Sequence, residues 1–144
     1  MEMWELVARE SIRDLVARYN ANGDSGRFDQ VMELFAPDAV MEIEGEAPKV
    51  GHEEIRTIFT GAAGRAEWGD RPVYLRHVTG THQIDVVDEA HAVGRCYYFV
   101  LTAVGLDHWG RYLDEYRVVD GRWRFATRRV STDGRSPGAL FAVE

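Results

Sequence analysis

From Arg76 to Ser131 the chain reads as four long strands joined by three short turns, and this run limits the possible folds more than any other feature. Residues 76–87, 90–104, 109–119 and 122–131 are rich in β-branched and aromatic side chains, which suit a pleated, half-buried surface. Asp88-Glu89, Gly105-Leu106-Asp107-His108 and Asp120-Gly121 separate them, and Asp-Gly is a strong hairpin signal. Strands joined in succession by turns form an antiparallel meander. Both faces of the second strand are apolar: Cys96, Tyr98 and Val100 alternate with Tyr97, Phe99 and Leu101. Both faces therefore need cover.

The preceding residues supply helices. Trp4, Val7, Ala8, Ile12, Leu15, Val16 and Tyr19 recur at helical spacing over residues 4–20. The cluster Asn22-Gly23-Asp24-Ser25-Gly26 predicts a break. A short helix is expected over Phe28–Phe35, ended by Pro37, then a strand over Ala39–Glu44 and a third helix over His52–Ala63. Gly61–Pro72, with Trp68, reads as a loop, and Ala139–Val143 as a loose tail. This order predicts an α+β domain over residues 1–144, a cone-shaped, barrel-like curved antiparallel sheet wrapped around N-terminal helices. Three helices are too few to cover the sheet, so its outer face, with Tyr97, Phe99 and Leu101, is expected to pack in a homodimer.

The charge balance narrows the partners. Seventeen Lys and Arg against 24 Asp and Glu give −7, which opposes nucleic acid and anionic membranes as principal partners. The single cysteine, Cys96, precludes an internal disulfide and fits a reducing, cytoplasmic location. The N-terminal stretch carries acids within its apolar run, unlike a signal peptide, and no apolar run reaches membrane-spanning length. The spacings H-E-x-x-H, G-x-G-x-x-G, G-x-S-x-G and the P-loop are absent, so no metal, nucleotide or other cofactor is expected.

Tyr19 and Asp24 lie five residues apart, His77 about fifty residues later, and Arg128-Arg129 after a Trp123-x-Phe125 strand. An aspartate can fix the tautomer of a histidine and stabilise its protonated form, which makes a proton-transfer pair. Each residue also has an ordinary reading. A turn Asp is usually a cap, a lone strand His is more often structural, and Tyr19 closes the apolar helix stripe as a core aromatic would. Arg128 and Arg129 alternate on a strand, so one points inward and one to solvent. Phe35, Phe59, Trp68, Cys96, Tyr98 and one of the two arginines are expected to line a mostly apolar pocket. His52, His82, His91 and His108 fall in loops or turns.

Residues Arg18-Tyr19, Asp24 and Gly26, Leu34–Val40, Gly51–Ile55, Arg76–Thr79, Gly110–Tyr112, Asp120–Phe125 and Arg128–Val130 together resemble the SnoaL-like branch of the nuclear transport factor two-like superfamily. The resemblance spans about Ile12 to Val130. Its members similar in site pattern are cofactor-free lyases of the scytalone dehydratase, bile-acid dehydratase and hexachlorocyclohexane dehydrochlorinase types. It implies Asp24 and His77 as a proton-abstracting pair, Tyr19 as a hydrogen-bond donor and Arg128 as a supporting cation. In one departure, Cys96 stands where scytalone dehydratases have a second histidine, which leaves Tyr19 or Tyr98 as acid for the leaving group. The expected function is a dehydratase acting on a small apolar cyclic substrate. The alternatives are an isomerase or polyketide cyclase using the same pair, and a non-catalytic small-molecule-binding module.

Overall fold

The computed structural model describes the backbone of residues 1–65, 67–68, 71–72 and 74–141, and the side chains of 1–62 and 74–141. Helix α1 spans Met3–Asp24. It opens on a capping box between Glu2 and Glu5 and buries Ala8, Ile12, Leu15, Val16 and Tyr19 along one stripe. The helix continues four residues beyond the expected end, through Asn22 and Gly23. A helical Gly costs only about 1 kcal/mol against Ala, and Gly23 packs beside the Phe59 ring. Termination comes at Ser25-Gly26, where Gly26 adopts a φ of 73°.

Helix α2 is a single turn, Phe28–Met32, and strand β1 runs from Phe35 to Ile43. Phe35 and Pro37 thus belong to the strand, not to a helix end. Pro37 lies between the pairs Phe35↔Phe125 and Val40↔Thr127, where the ladder shifts register and no donor is required. Strand β2 is Lys49–Val50, helix α3 Gly51–Arg65, β3 Glu67–Trp68 and β4 Arg71–Pro72. Strands β5 (Leu75–Val86), β6 (His91–Thr102), β7 (Gly105–Val119) and β8 (Arg122–Arg135) form the expected meander. Strand β7 starts at Gly105, so Asp107 and His108 are strand residues. Strand β8 continues through Asp133, which the sequence marks as a break. The turn to β8 has positive φ at both Asp120 (50°) and Gly121 (76°), the signature of a primed hairpin turn.

The principal sheet has the order β2-β1-β8-β7-β6-β5. Strand β1 joins it parallel to β8, an addition to the otherwise antiparallel meander. Register shifts on β5, β7 and β8 insert single extra residues, and these bulges bend the strands. The result is a curved, unclosed six-stranded sheet with β2 and β5 at its edges. Helix α1 packs on β5 and β8, and α3 packs on β1. The core between them is aromatic, built on Tyr19, Phe35, Tyr98, Tyr112, Tyr116 and Phe125.

Candidate active site

The end of α1 and the start of β5 meet at one carboxylate. Asp24 Oδ1 lies 2.6 Å from His77 Nδ1, and the His77 backbone N–H donates to Asp24 Oδ2 at 2.8 Å. A carboxylate here outlasts its unfavourable place at a helix C-terminus because β5 is an edge strand with an unpaired N–H to offer. Ionised, the carboxylate can only accept, so Nδ1 carries the proton and Nε2 keeps its lone pair. The Asp24 side chain is 7% exposed and that of His77 is 24% exposed, so the imidazole stays within reach of a small molecule. Such an arrangement has the geometry by which a histidine can act as a base with a charge-stabilising partner.

Tyr19 and Arg128 lie in the core. Tyr19 packs edge-on against Phe35, Phe59, Tyr112 and Phe125, with ring centroids 5.6–6.1 Å apart. Burial pushes its hydroxyl up to about 12. Arg128 is fully buried and donates from Nε and Nη2 to the two carboxylate oxygens of Asp114, both at 2.8 Å. Its guanidinium also lies 3.8 Å from the ring centre of Tyr112 and 4.2 Å from that of Tyr19. Burial opposes the charge on Arg128, but Asp114 outweighs it and holds the guanidinium protonated. Tyr116 donates to Asp114 at 2.8 Å, and His82 reaches the Tyr116 hydroxyl at 3.2 Å. Arg128 is therefore buried against the rings of Tyr19, Tyr112 and Phe125, and its Nη1 has no hydrogen-bond partner among the described residues.

The remaining expected residues divide. Arg129 turns outward and pairs with Glu42 at 2.9 Å, because strand neighbours face opposite sides. It is not part of the interior. Phe35 and Cys96 are buried and fill the core where a pocket wall was expected, and burial pushes the Cys96 thiol up to about 11. Phe59 is half-buried beside Tyr19. The Trp68 side chain lies outside the described residues. Tyr98 stacks on Tyr112 at 4.6 Å, sits 6.1 Å from the His77 ring, and donates its hydroxyl to the Ser131 carbonyl. Two cavities are outlined among the described residues. One of about 660 Å³ lies between α1, α2 and the β7–β8 hairpin, and one of about 530 Å³ lies against Tyr97, Tyr98 and Trp109. Neither Asp24 nor His77 lines either of these cavities. Among the described residues, no cluster of three or more His, Cys, Asp or Glu side chains is arranged to hold a metal ion. No described helix is long and apolar enough to cross a membrane.

Sequence reasoning missed Asp114, Tyr116, His82, Asp107 and His108. A signal for Asp114 was present. Tyr112-x-Asp114-x-Tyr116 places a carboxylate on the same face as two aromatics, and a buried carboxylate needs a cation.

Helices packed on a curved, open, mostly antiparallel sheet are the α+β fold of the nuclear transport factor two-like, cystatin-like proteins. Residues 4–129 match the SnoaL-like domain, and the chain belongs to that family. Solved structures share the fold. A candidate scytalone dehydratase from Novosphingobium aromaticivorans superposes with a TM-score of 0.84 at 21% identity, over 100% of this chain and 94% of that one. LinA gives 0.80 at 19% identity, over 99% and 98%. A protein from Catenulispora acidiphila, solved in complex with S-DNPA, gives 0.75 at 25% identity, over 89% and 95%. Comparison with curated protein sequences returned no match.

Proposed function

We propose that the protein is a cofactor-independent lyase, a dehydratase acting on a small, largely apolar cyclic substrate of polyketide, terpenoid or steroid type. The domain spans the whole chain in this reading, and a cytoplasmic location fits its lone thiol. One observation carries the proposal: His77 Nδ1 lies 2.6 Å from Asp24 Oδ1, which leaves Nε2 free to act as a base beside the Tyr98 ring. Nε2 takes a proton next to a carbonyl. Asp24 stabilises the resulting imidazolium, the C–H electron pair becomes the C=C bond, and the hydroxyl departs as water on taking a proton from an acid. A positioned acid–base pair contributes roughly 10²–10⁴-fold, and exclusion of water and orientation supply the rest. Arg128, packed on Tyr19 and Tyr112, supports charge or substrate. The small molecule held by the Catenulispora protein supports a ligand site on this frame.

Turnover of cyclic hydroxyketones, hydroxysteroids and polyketides, followed by mass spectrometry, tests the proposal. A product lighter by one water is expected from the wild type and not from His77→Ala. Asp24→Asn is expected to keep the fold and most affinity but lower the rate substantially, since an amide cannot stabilise the imidazolium. A second reading, an isomerase or cyclase on the same base, is favoured by one observation: Tyr19 and Cys96 are buried, and the Tyr98 hydroxyl is committed to Ser131. A product of unchanged mass and altered retention would select it.

The outer sheet face supports a homodimer as part of the same proposal. Tyr97, Phe99, Trp109 and Leu113 are 58%, 39%, 37% and 45% exposed there, an apolar surface that a second copy would cover.

A further inference from the structure

The interior holds a second histidine–aspartate pair. Asp107 and His108 are consecutive on β7, and consecutive strand residues ordinarily face opposite ways. Here both turn inward, with side chains 0% and 13% exposed, and His108 Nδ1 meets Asp107 Oδ2 at 2.7 Å. The cause is a bulge. His108 pairs with Val100 while Leu106 pairs with Leu101, so Asp107 is an extra residue on β7. Bulges of this kind re-aim side chains. The tail then holds the carboxylate in place: Leu140 N donates to Asp107 Oδ1 at 2.5 Å and Phe141 N to Oδ2 at 3.3 Å.

The bulge places His108 in register with the first pair. His77 is opposite Val100, and Val100 is opposite His108, so both imidazoles lie on one row of one sheet face. Two strand spacings separate them, about 10 Å. Between them lies Tyr98, whose ring is 6.1 Å from His77 and 6.0 Å from His108. Each imidazole is held by a carboxylate at Nδ1, which leaves Nε2 as the atom available to a ligand. The other charged neighbour in register with His108 is Arg135 on β8.

We propose that His108 is the acid that protonates the leaving hydroxyl, a catalytic partner to His77 on a different strand from Cys96. The inference rests on the elimination reading above and supplies the donor that Tyr19, Cys96 and Tyr98 do not. In the step, neutral His77 Nε2 takes the proton next to the carbonyl, and the C–H electron pair becomes the new C=C bond. The C–O bond breaks, its electron pair goes to oxygen, and the Nε2–H of protonated His108 completes the water. His77 ends protonated and His108 neutral, and solvent returns the proton between turnovers. Asp107 sustains the imidazolium of His108 as Asp24 sustains that of His77.

Two probes of one skeleton test this. 3-Hydroxy-1-tetralone needs a protonated leaving group, whereas 3-acetoxy-1-tetralone releases acetate and does not. Both give 1-naphthol. His108→Asn is expected to slow the hydroxyl probe by roughly 10²–10⁴-fold and to leave the acetoxy probe within a few-fold of wild type. The ratio is read on one preparation, so it does not depend on the fraction folded. Equal losses on both probes, or none on the hydroxyl probe, overturn the proposal. His77→Ala should lose both probes, and if it keeps both, the base reading fails instead. A second measurement uses 1-tetralone, which has no leaving group, with imidazole ¹⁵N resonances as the readout. Both His77 and His108 should shift as it is added, and a shift of His77 without His108 overturns the proposal.

Discussion

A single buried carboxylate, Asp114, organises the polar interior at the scale of individual residues. It accepts from Arg128 twice and from Tyr116 once, and it is fully buried. Breaking such a pair leaves an uncompensated charge in the core, which typically costs about 3–5 kcal/mol. Arg128→Met is expected to lower unfolding free energy by that amount, read from urea denaturation. Arg128→Met with Asp114→Leu should recover much of the loss, because both charges are then gone. His82 gives the interior a pH dependence. Burial lowers its affinity for a proton in the folded state, while the unfolded chain protonates near the ordinary value of about 6.5. The unfolded state therefore binds more protons as pH falls, and stability drops below about pH 6.5. Urea midpoints at pH 7.5 and 5.5 should differ more for the wild type than for His82→Gln.

At the scale of elements, glycines and bulges set the curvature that brings the pairs inward. Gly110 is the clearest case. A Cβ there would sit 1.8 Å from the Ser131 carbonyl oxygen and 2.8 Å from the Tyr98 hydroxyl. Gly110→Ala is expected to cost about 3 kcal/mol or more through overpacking. Gly61, in open space on α3, is the control. Gly61→Ala should stabilise by about 0.5–1 kcal/mol, as the better helix former does. Thermal unfolding of the two variants should move in opposite directions. These elements also show what the sequence could and could not reveal. The four-strand meander, the Asp120-Gly121 turn and the α1 stripe follow from local periodicity. The bulges do not, because one inserted residue has no compositional mark yet reverses which side chains face inward. His108 therefore read as a turn residue, and its pairing with Asp107 was invisible. Asp24 was legible through the family resemblance, while its place at the end of α1 was not, because the helix continues through Gly23 beside the Phe59 ring.

For the whole molecule, the exposed convex face and the interior pairs are separate features of one sheet. The exposed outer side chains of β6 and β7 include Val93, Tyr97, Phe99, Trp109 and Leu113, interspersed with Arg95, Arg111 and Glu115, and two copies are expected to share this face through the apolar members. Light scattering at micromolar concentration should give twice the chain mass. Tyr97→Asp with Phe99→Asp should give the single-chain mass without changing the circular dichroism. A wild-type monomer would contradict the assembly. The interior makes a different demand: whatever leaves or rearranges, His77 must first take a proton from carbon. Enzyme-catalysed exchange of the α-protons of 1-tetralone in D₂O, followed by mass spectrometry, measures that step alone. Deuterium incorporation by the wild type well above background, and its loss in His77→Ala, is the expected result. Undiminished exchange in folded His77→Ala would contradict it.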